Sequence, residues 1–253
     1  MSGFPFLEHM TSPEAGEAIA AGNTRVLFAC GAVEQHGPHL PMFMDAEHGT
    51  LLAGLVAQML GRTLVAPTVR VGCSEHHMAF PGTISIRDST LEAICTDYCQ
   101  SLARHGFTNI GIIPSHGGNF GPIREMLPRL QAAIPSSCRV SAYTDVVAMI
   151  EMWRAAVADM GADASRVGGH ADIAESSIML TIHPEYVHLD RAEAGFPATN
   201  TAEILSRIIR DGLQSVTPNG ILGDARGLSA SIGARCVEVA AESLTAFFRG
   251  AMV

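Results

Sequence analysis

Phe28-Ala-Cys-Gly-Ala-Val-Glu34-Gln-His36-Gly-Pro-His39-Leu-Pro-Met-Phe-Met-Asp45-Ala-Glu47-His48 decides how the chain is read. The apolar run Val26 to Cys30 reads as a buried strand, and three carboxylates with three histidines follow it within the fifteen residues Glu34 to His48. Isolated charges at the end of a core strand cost several kcal/mol unless paired or metal-bound, and Asp, Glu and His are divalent-metal ligands. Glu34 and His36 lie two apart, so in an extended segment their side chains leave one face. Gly37, Pro38 and Pro41 forbid a helix and turn the chain, which lets Asp45 return toward that face. Glu34, His36 and Asp45 are therefore candidate metal ligands. His39, Glu47 and His48 read equally well as ligands or as ordinary surface or core residues.

Working outward, residues 13–22 predict a short helix and 25–30 the strand. Ala46 to Leu60 predicts a helix ended by Gly61, and Leu64 to Val71 a strand whose proline places it at an edge or an end. A polar loop from Gly72 feeds a short strand at 83–86. Asp88 or Ser89 then opens a helix to about His105, and Asn109 to Pro114 forms the next buried strand. That strand delivers Ser115-His116-Gly117-Gly118-Asn119, followed by a helix from about Phe120 to Ala133, a strand at 139–143 and a helix at 145–160. Gly168-Gly169 reads as a flexible hinge before His170, which enters a helix carrying Asp172 and Glu175. Asp172 either serves the helix macrodipole or joins the site. Residues 190–200 and 217–227 read as loops, with helices at about 201–215 and 228–248.

Strands alternating with helices predict an α/β fold with a mainly parallel sheet covered on both faces. Ligands bind beyond the carboxyl ends of such strands, where both His36 and His116 fall, so one shared site is expected. The 253 residues, 47% hydrophobic and 16% charged, suit one domain spanning 1–253. Net charge −9 without a Lys/Arg run disfavours nucleic acid and anionic membranes. No stretch has the continuous apolar length of a membrane helix, and the first residues lack a leader-like pattern, so a soluble cytoplasmic protein is the expectation. Six scattered cysteines without CxxC pairs predict reduced core thiols.

Taken together, Gly31-Ala-Val-Glu-Gln-His-Gly-Pro-His-Leu-Pro41 with Asp45, Glu75-His76 followed by Phe80-Pro-Gly-Thr-Ile-Ser85, Ser115-His-Gly-Gly-Asn119, His170-Ala171 with Glu175, and Gly220-Ile-Leu-Gly-Asp224 resemble the creatininase family of metal-dependent amidohydrolases. The resemblance implies a three-layer α/β/α sandwich, a homo-oligomer, often a hexamer, and two divalent metal ions per subunit. By position, Glu34, His36, Asp45 and His116 match metal ligands, with Asp45 the bridging carboxylate, and His170 matches the catalytic histidine. Creatinine-cleaving members carry a metal-binding glutamate where this chain has Gly118, and Glu175 is the candidate replacement, with a catalytic role beside its ligand role. They also place a glutamate where Gly169 stands and a tryptophan just upstream, where this chain has Ser165-Arg166-Val167, so creatinine itself is not the expected substrate.

Carboxylate and imidazole ligands without thiolate suit Zn, Mn or Fe. Two such ions would activate a bridging hydroxide against a small-molecule amide, with His170 protonating the leaving nitrogen. Glu75, His76, Gly117, Gly118 and Asn119 are the expected substrate contacts; Trp153, the only tryptophan, either lines the pocket or packs a helix. His76 and His77 read alternatively as exposed loop histidines. Competing readings are hydrolysis of a cyclic ketone or lactone, a mononuclear iron oxidoreductase using His36, Asp45 and His116, and a non-catalytic metal-binding subunit.

Overall fold

The computed structural model describes residues 3–197 and 202–252. Helix α1 (Ser12–Ala20), closed at its start by a Thr11–Glu14 capping box, leads into β1 (Arg25–Cys30). Then come α2 (Met44–Leu60), β2 (Thr63–Val65), α3 (Asp88–Arg104), β3 (Asn109–Pro114), α4 (Gly117–Ala132), β4 (Arg139–Ala142) and α5 (Val146–Asp159). The four strands form a parallel sheet in the order β2-β1-β3-β4, with Val26 beside Leu64 and Ile110, and Cys30 beside Pro114.

The strand runs are apolar on both faces because helices cover both. Leu27, Ala29 and Ile113 face one core with α2, α5 and two later helices, α6 (Ile173–Ile182) and α8 (Ala230–Ala251). Val26, Phe28, Cys30, Ile110 and Ile112 face the other, with α3 and α4. The expected three layers are present. All six cysteines are free and buried, and the closest pair, Cys30 and Cys95, has sulfurs 3.9 Å apart. Helix α7 (Ala202–Asp211) packs outside these layers, and no helix among the described residues is long and apolar enough to cross a membrane.

Three expectations are corrected. The strand anticipated at 83–86 is a single bridge, Ile84 against Val33. The one at 64–71 stops at Val65, because Pro67 offers no N–H to the ladder, and pairing resumes only at Val69, opposite Cys30. The Gly168-Gly169 pair is no hinge. It lies in β5 (Val167–His170), which pairs antiparallel with β6 (Leu222–Gly223) in a separate two-stranded sheet. A Cβ on Gly168 would sit 2.3 Å from the Leu222 carbonyl oxygen, so the glycine permits close strand contact rather than motion.

Candidate metal centre

Because β1 and β3 end side by side, the segments beyond them share one rim, and Glu34, His36 and His116 meet there, each at most 2% exposed. Asp45 reaches them from the first turn of α2. Glu175 comes from the first turn of α6, opposite the rim, and His170 from the end of β5. Ala171 between them holds a left-handed φ of 51° and donates its N–H to Glu175 Oε2 at 2.5 Å, fixing that carboxylate.

Asp45 stands between two imidazoles. Its Oδ1 lies 3.4 Å from His36 Nε2, and its Oδ2 lies 3.3 Å from His116 Nδ1. Glu34 Oε1 is 3.2 Å from His116 Nδ1, and Glu175 Oε2 is 3.8 Å from His36 Nε2. Four groups among the described residues have ligand atoms close enough to converge on one ion; Glu34–Asp45–His116 and His36–Asp45–Glu175 share Asp45, and the others are Glu34–His36–His170 and Glu34–His76–His77. The tautomers suit ligation: His116 Nε2 donates to the Cys73 carbonyl at 3.1 Å and His36 Nδ1 to the Glu34 carbonyl at 3.2 Å, which leaves the inward nitrogens bare. His36 Nε2 and Asp45 Oδ2 are buried without a hydrogen-bond partner. Orphaned donor atoms of hard-oxygen and imidazole type, converging from two sides, fit divalent cations.

The electrostatics agree. Burial pushes the Glu34 carboxyl up, and it pushes Glu175 up to about 8, helped by Asp45 and Asp172 against the pull of His36. Burial would also raise Asp45, but His36 and His116 outweigh it and hold that carboxyl well below its ordinary range. His36 is carried the other way, to about 10, because Asp45, Glu175 and Glu34 overcome the cost of burying its charge, and His116 is raised by Glu34 and Asp45 in the same manner. Without a cation the site thus recruits protons. An imidazolium cannot ligate, so loading both ions at pH 7 is expected to release at least two protons. Metal affinity should fall about tenfold per pH unit for each proton displaced as pH drops. Calorimetry in two buffers of different ionisation enthalpy checks this; binding without proton release would contradict it.

The other expected site residues divide. His76 is half-buried, its ring stacked 5.8 Å from that of His116 at 12°, whereas Glu75 on the same turn points into solvent. His77, read as an exposed histidine alternative, is instead buried, with Nε2 3.2 Å from Glu34 Oε2. Gly117 is exposed, and a Cβ on Gly118 would lie 2.2 Å from the Cys73 carbonyl oxygen, so no glutamate fits there with this backbone.

Asn119 has its polar atoms committed to backbone: Oδ1 accepts from Cys73 N–H, and Nδ2 donates to the Cys30 and Gly31 carbonyls, all at 3.0 Å. It ties three segments of the rim rather than facing a substrate. Asn119→Leu is expected to cost about 2–4 kcal/mol, since it strands buried backbone groups; urea unfolding measures this, and a loss below about 0.5 kcal/mol would contradict the tie. Trp153 is buried in the core, 5.7 Å from the His48 ring, as in the helix-packing alternative. Asp172 caps α6 and also accepts from Gly168 and Gly169, so it braces β5 against the helix. Gln35 and His77, both inside the cluster, carried no expectation as ligands or catalysts. The only sequence signal for Gln35 was its place between Glu34 and His36.

These features fit a metal centre, and comparison supplies the family. The creatininase model, described as creatinine amidohydrolase, matches residues 8–248, and the chain belongs to the creatininase family. The family makes it a metal-dependent hydrolase of the amidohydrolase type. A mycofactocin precursor peptide peptidase from Mycobacterium ulcerans (strain Agy99) is 34% identical over 218 residues, covering 83% of this chain and 78% of that protein. A creatinine amidohydrolase from Pseudomonas putida is 29% identical over 215 residues, covering 79% and 80%. Among solved structures, one titled "Creatininase Mn" superimposes with a TM-score of 0.81 at 26% identity, covering 98% of both chains.

Proposed function

We propose that the chain hydrolyses the C–N bond of an uncharged amide, cyclic or peptide-like, with two divalent ions of Zn, Mn or Fe. One is held by Glu34, Asp45 and His116, the other by His36, Asp45 and Glu175. The observation that carries this reading is Asp45 itself, which presents a different oxygen to each histidine. Glu175 in the second triad takes the place of the glutamate that Gly118 excludes. When bound, such ions polarise a carbonyl and bring the pKa of water toward neutrality.

The chain's own residues handle the protons. His170 Nε2 donates to the Gln35 carbonyl at 2.9 Å, so its bare Nδ1, 3.8 Å from Glu34 Oε1 and 3.9 Å from Glu175 Oε2, faces the reacting space. Burial, aided by His36, holds its pKa well below the ordinary histidine value, so the resting ring is neutral. It therefore takes a proton from the attacking water first and returns it to the leaving nitrogen as the C–N bond breaks. A cavity of about 300 Å³ is walled by His36, Leu40, Met42, Phe80 and Pro218 with Gln35 and Asn219; no carboxylate, lysine or arginine lines it, which supports a neutral substrate.

A mononuclear iron reading built on His36, Asp45 and His116 would leave Glu34 and Glu175, both buried at the centre, without a role as ligands. The hexamer implied by the resemblance stays a proposal, supported by exposed apolar side chains such as Val147 and Ile209. The test is crystallography with anomalous scattering at the metal edges, together with an amide panel. Two ions about 3.5–4 Å apart sharing Asp45 are expected; a single ion, or turnover of no amide, would overturn the reading.

A further inference from the structure

Gln35 lies between two proposed ligands and points away from both. Its Oε1 accepts from Gly37 N–H at 2.9 Å, which fixes the orientation of the amide. Its Nε2 then faces three groups: the Gly220 carbonyl at 3.2 Å, His77 Nδ1 at 3.1 Å and His170 Nε2 at 3.0 Å. An amide nitrogen carries two hydrogens, so one claimant must go without. His170 Nε2 has another partner, the Gln35 backbone carbonyl at 2.9 Å, to which it can only donate. The two amide hydrogens therefore go to Gly220 O and His77 Nδ1. His77, accepting at Nδ1, carries its hydrogen on Nε2, which points at Glu34 Oε2 3.2 Å away. This assignment gives a donor and an acceptor to each of these contacts but one: Gln35 Nε2 and His170 Nε2, 3.0 Å apart, are both donors whose hydrogens are directed to other partners. Gly220 holds φ +78°, and a Cβ there would lie 2.0 Å from Gln35 Oε1, so the opposing backbone leaves the amide a closely fitted slot.

We propose that Gln35 is a positioning residue that sets the tautomers of two active-site histidines at once, holding His77 and His170 both as Nε2–H. His77 then presents an N–H to Glu34 and cannot ligate through Nε2, although Glu34, His76 and His77 bring ligand-type atoms together. His170 presents the bare Nδ1 that proton transfer needs. The last point rests on the function proposed above; the tautomer assignment does not.

The experiment is nitrogen NMR of the zinc-loaded protein with ¹⁵N-labelled histidine rings, the resonances assigned through His77→Gln and His170→Gln. In the wild type both rings are expected protonated at Nε2 and bare at Nδ1. In Gln35→Glu the side chain has no N–H to give, so His77 Nδ1 is expected to become protonated, with zinc content unchanged. An Nδ1–H tautomer at His77 in the wild type would overturn the proposal, as would an unaltered His77 in Gln35→Glu. If that variant fails to fold, the wild-type spectrum decides by itself. Absence of any amide turnover, with the expected spectra, would count against the hydrolytic reading and leave the role of Gln35 standing.

Discussion

Asp45→Asn is expected to lower the affinity for both ions together, by at least about 100-fold each, and to remove turnover with them. Altering a group that merely supports a ligand typically costs 10–100-fold in affinity, and Asp45 faces both histidine ligands directly. The substitution keeps shape and volume but removes the one charge that both triads share. The fold should survive, because Asp45 lies at the first turn of α2, outside the packed layers of the sheet. Metal analysis per chain, with circular dichroism as control, reads both parts. Retention of two ions with full turnover would sink the shared-carboxylate reading; loss of one ion alone would show that Asp45 serves a single site.

His170→Ala should behave in the opposite way, keeping both ions and lowering turnover by about 10²–10⁴, the usual worth of general acid–base catalysis. Its nearest contacts are the Gln35 carbonyl at 2.9 Å and the Gln35 amide nitrogen at 3.0 Å, with the proposed ligands Glu34 and Glu175 farther off at 3.8 and 3.9 Å, so removing the ring takes no close contact from either of these two carboxylates. A substrate with a good leaving group needs less protonation, so the mutant should recover part of its rate on an activated anilide or ester. Loss of a metal ion, or the same deficit on both substrate types, would show that His170 is a ligand or a packing residue instead.

Most of the parallel sheet was legible because its strands are short apolar runs bounded by turn residues, and the helices between them carry a regular apolar spacing. That Glu34, His36, Asp45 and His116 would gather in one place was legible for a related reason: buried charge after a core strand has few stable explanations. What stayed hidden depends on contacts far apart in sequence. Gly168 looked like freedom and is close packing, since its partner Leu222 lies 54 residues away in the chain. Asn119 looked like a substrate contact because it follows His116, but its partners are backbone groups of two other segments. Burial of His77 depends on how the loop folds back over Glu34, which no local pattern announces.

The proposed ligands do not all belong to one hydrogen-bonded framework. Glu34, His36 and His116 extend from the four-stranded sheet, while Glu175, like the proton carrier His170, belongs to the β5–α6 unit, whose strand among the described residues pairs with β6 alone. The centre is therefore a seam, and a cation shared between His36 and Glu175 would work as a clasp across it. Chelation should then act as more than a loss of chemistry. It removes the link between His36 and Glu175, which recruited protons do not replace, and the smaller unit has the fewer backbone bonds to hold its place. Amide hydrogens around 167–175 and 222–224 should begin to exchange while those of β1 and β3 stay protected, so the first sign of metal starvation would be a parting of the two halves rather than unfolding.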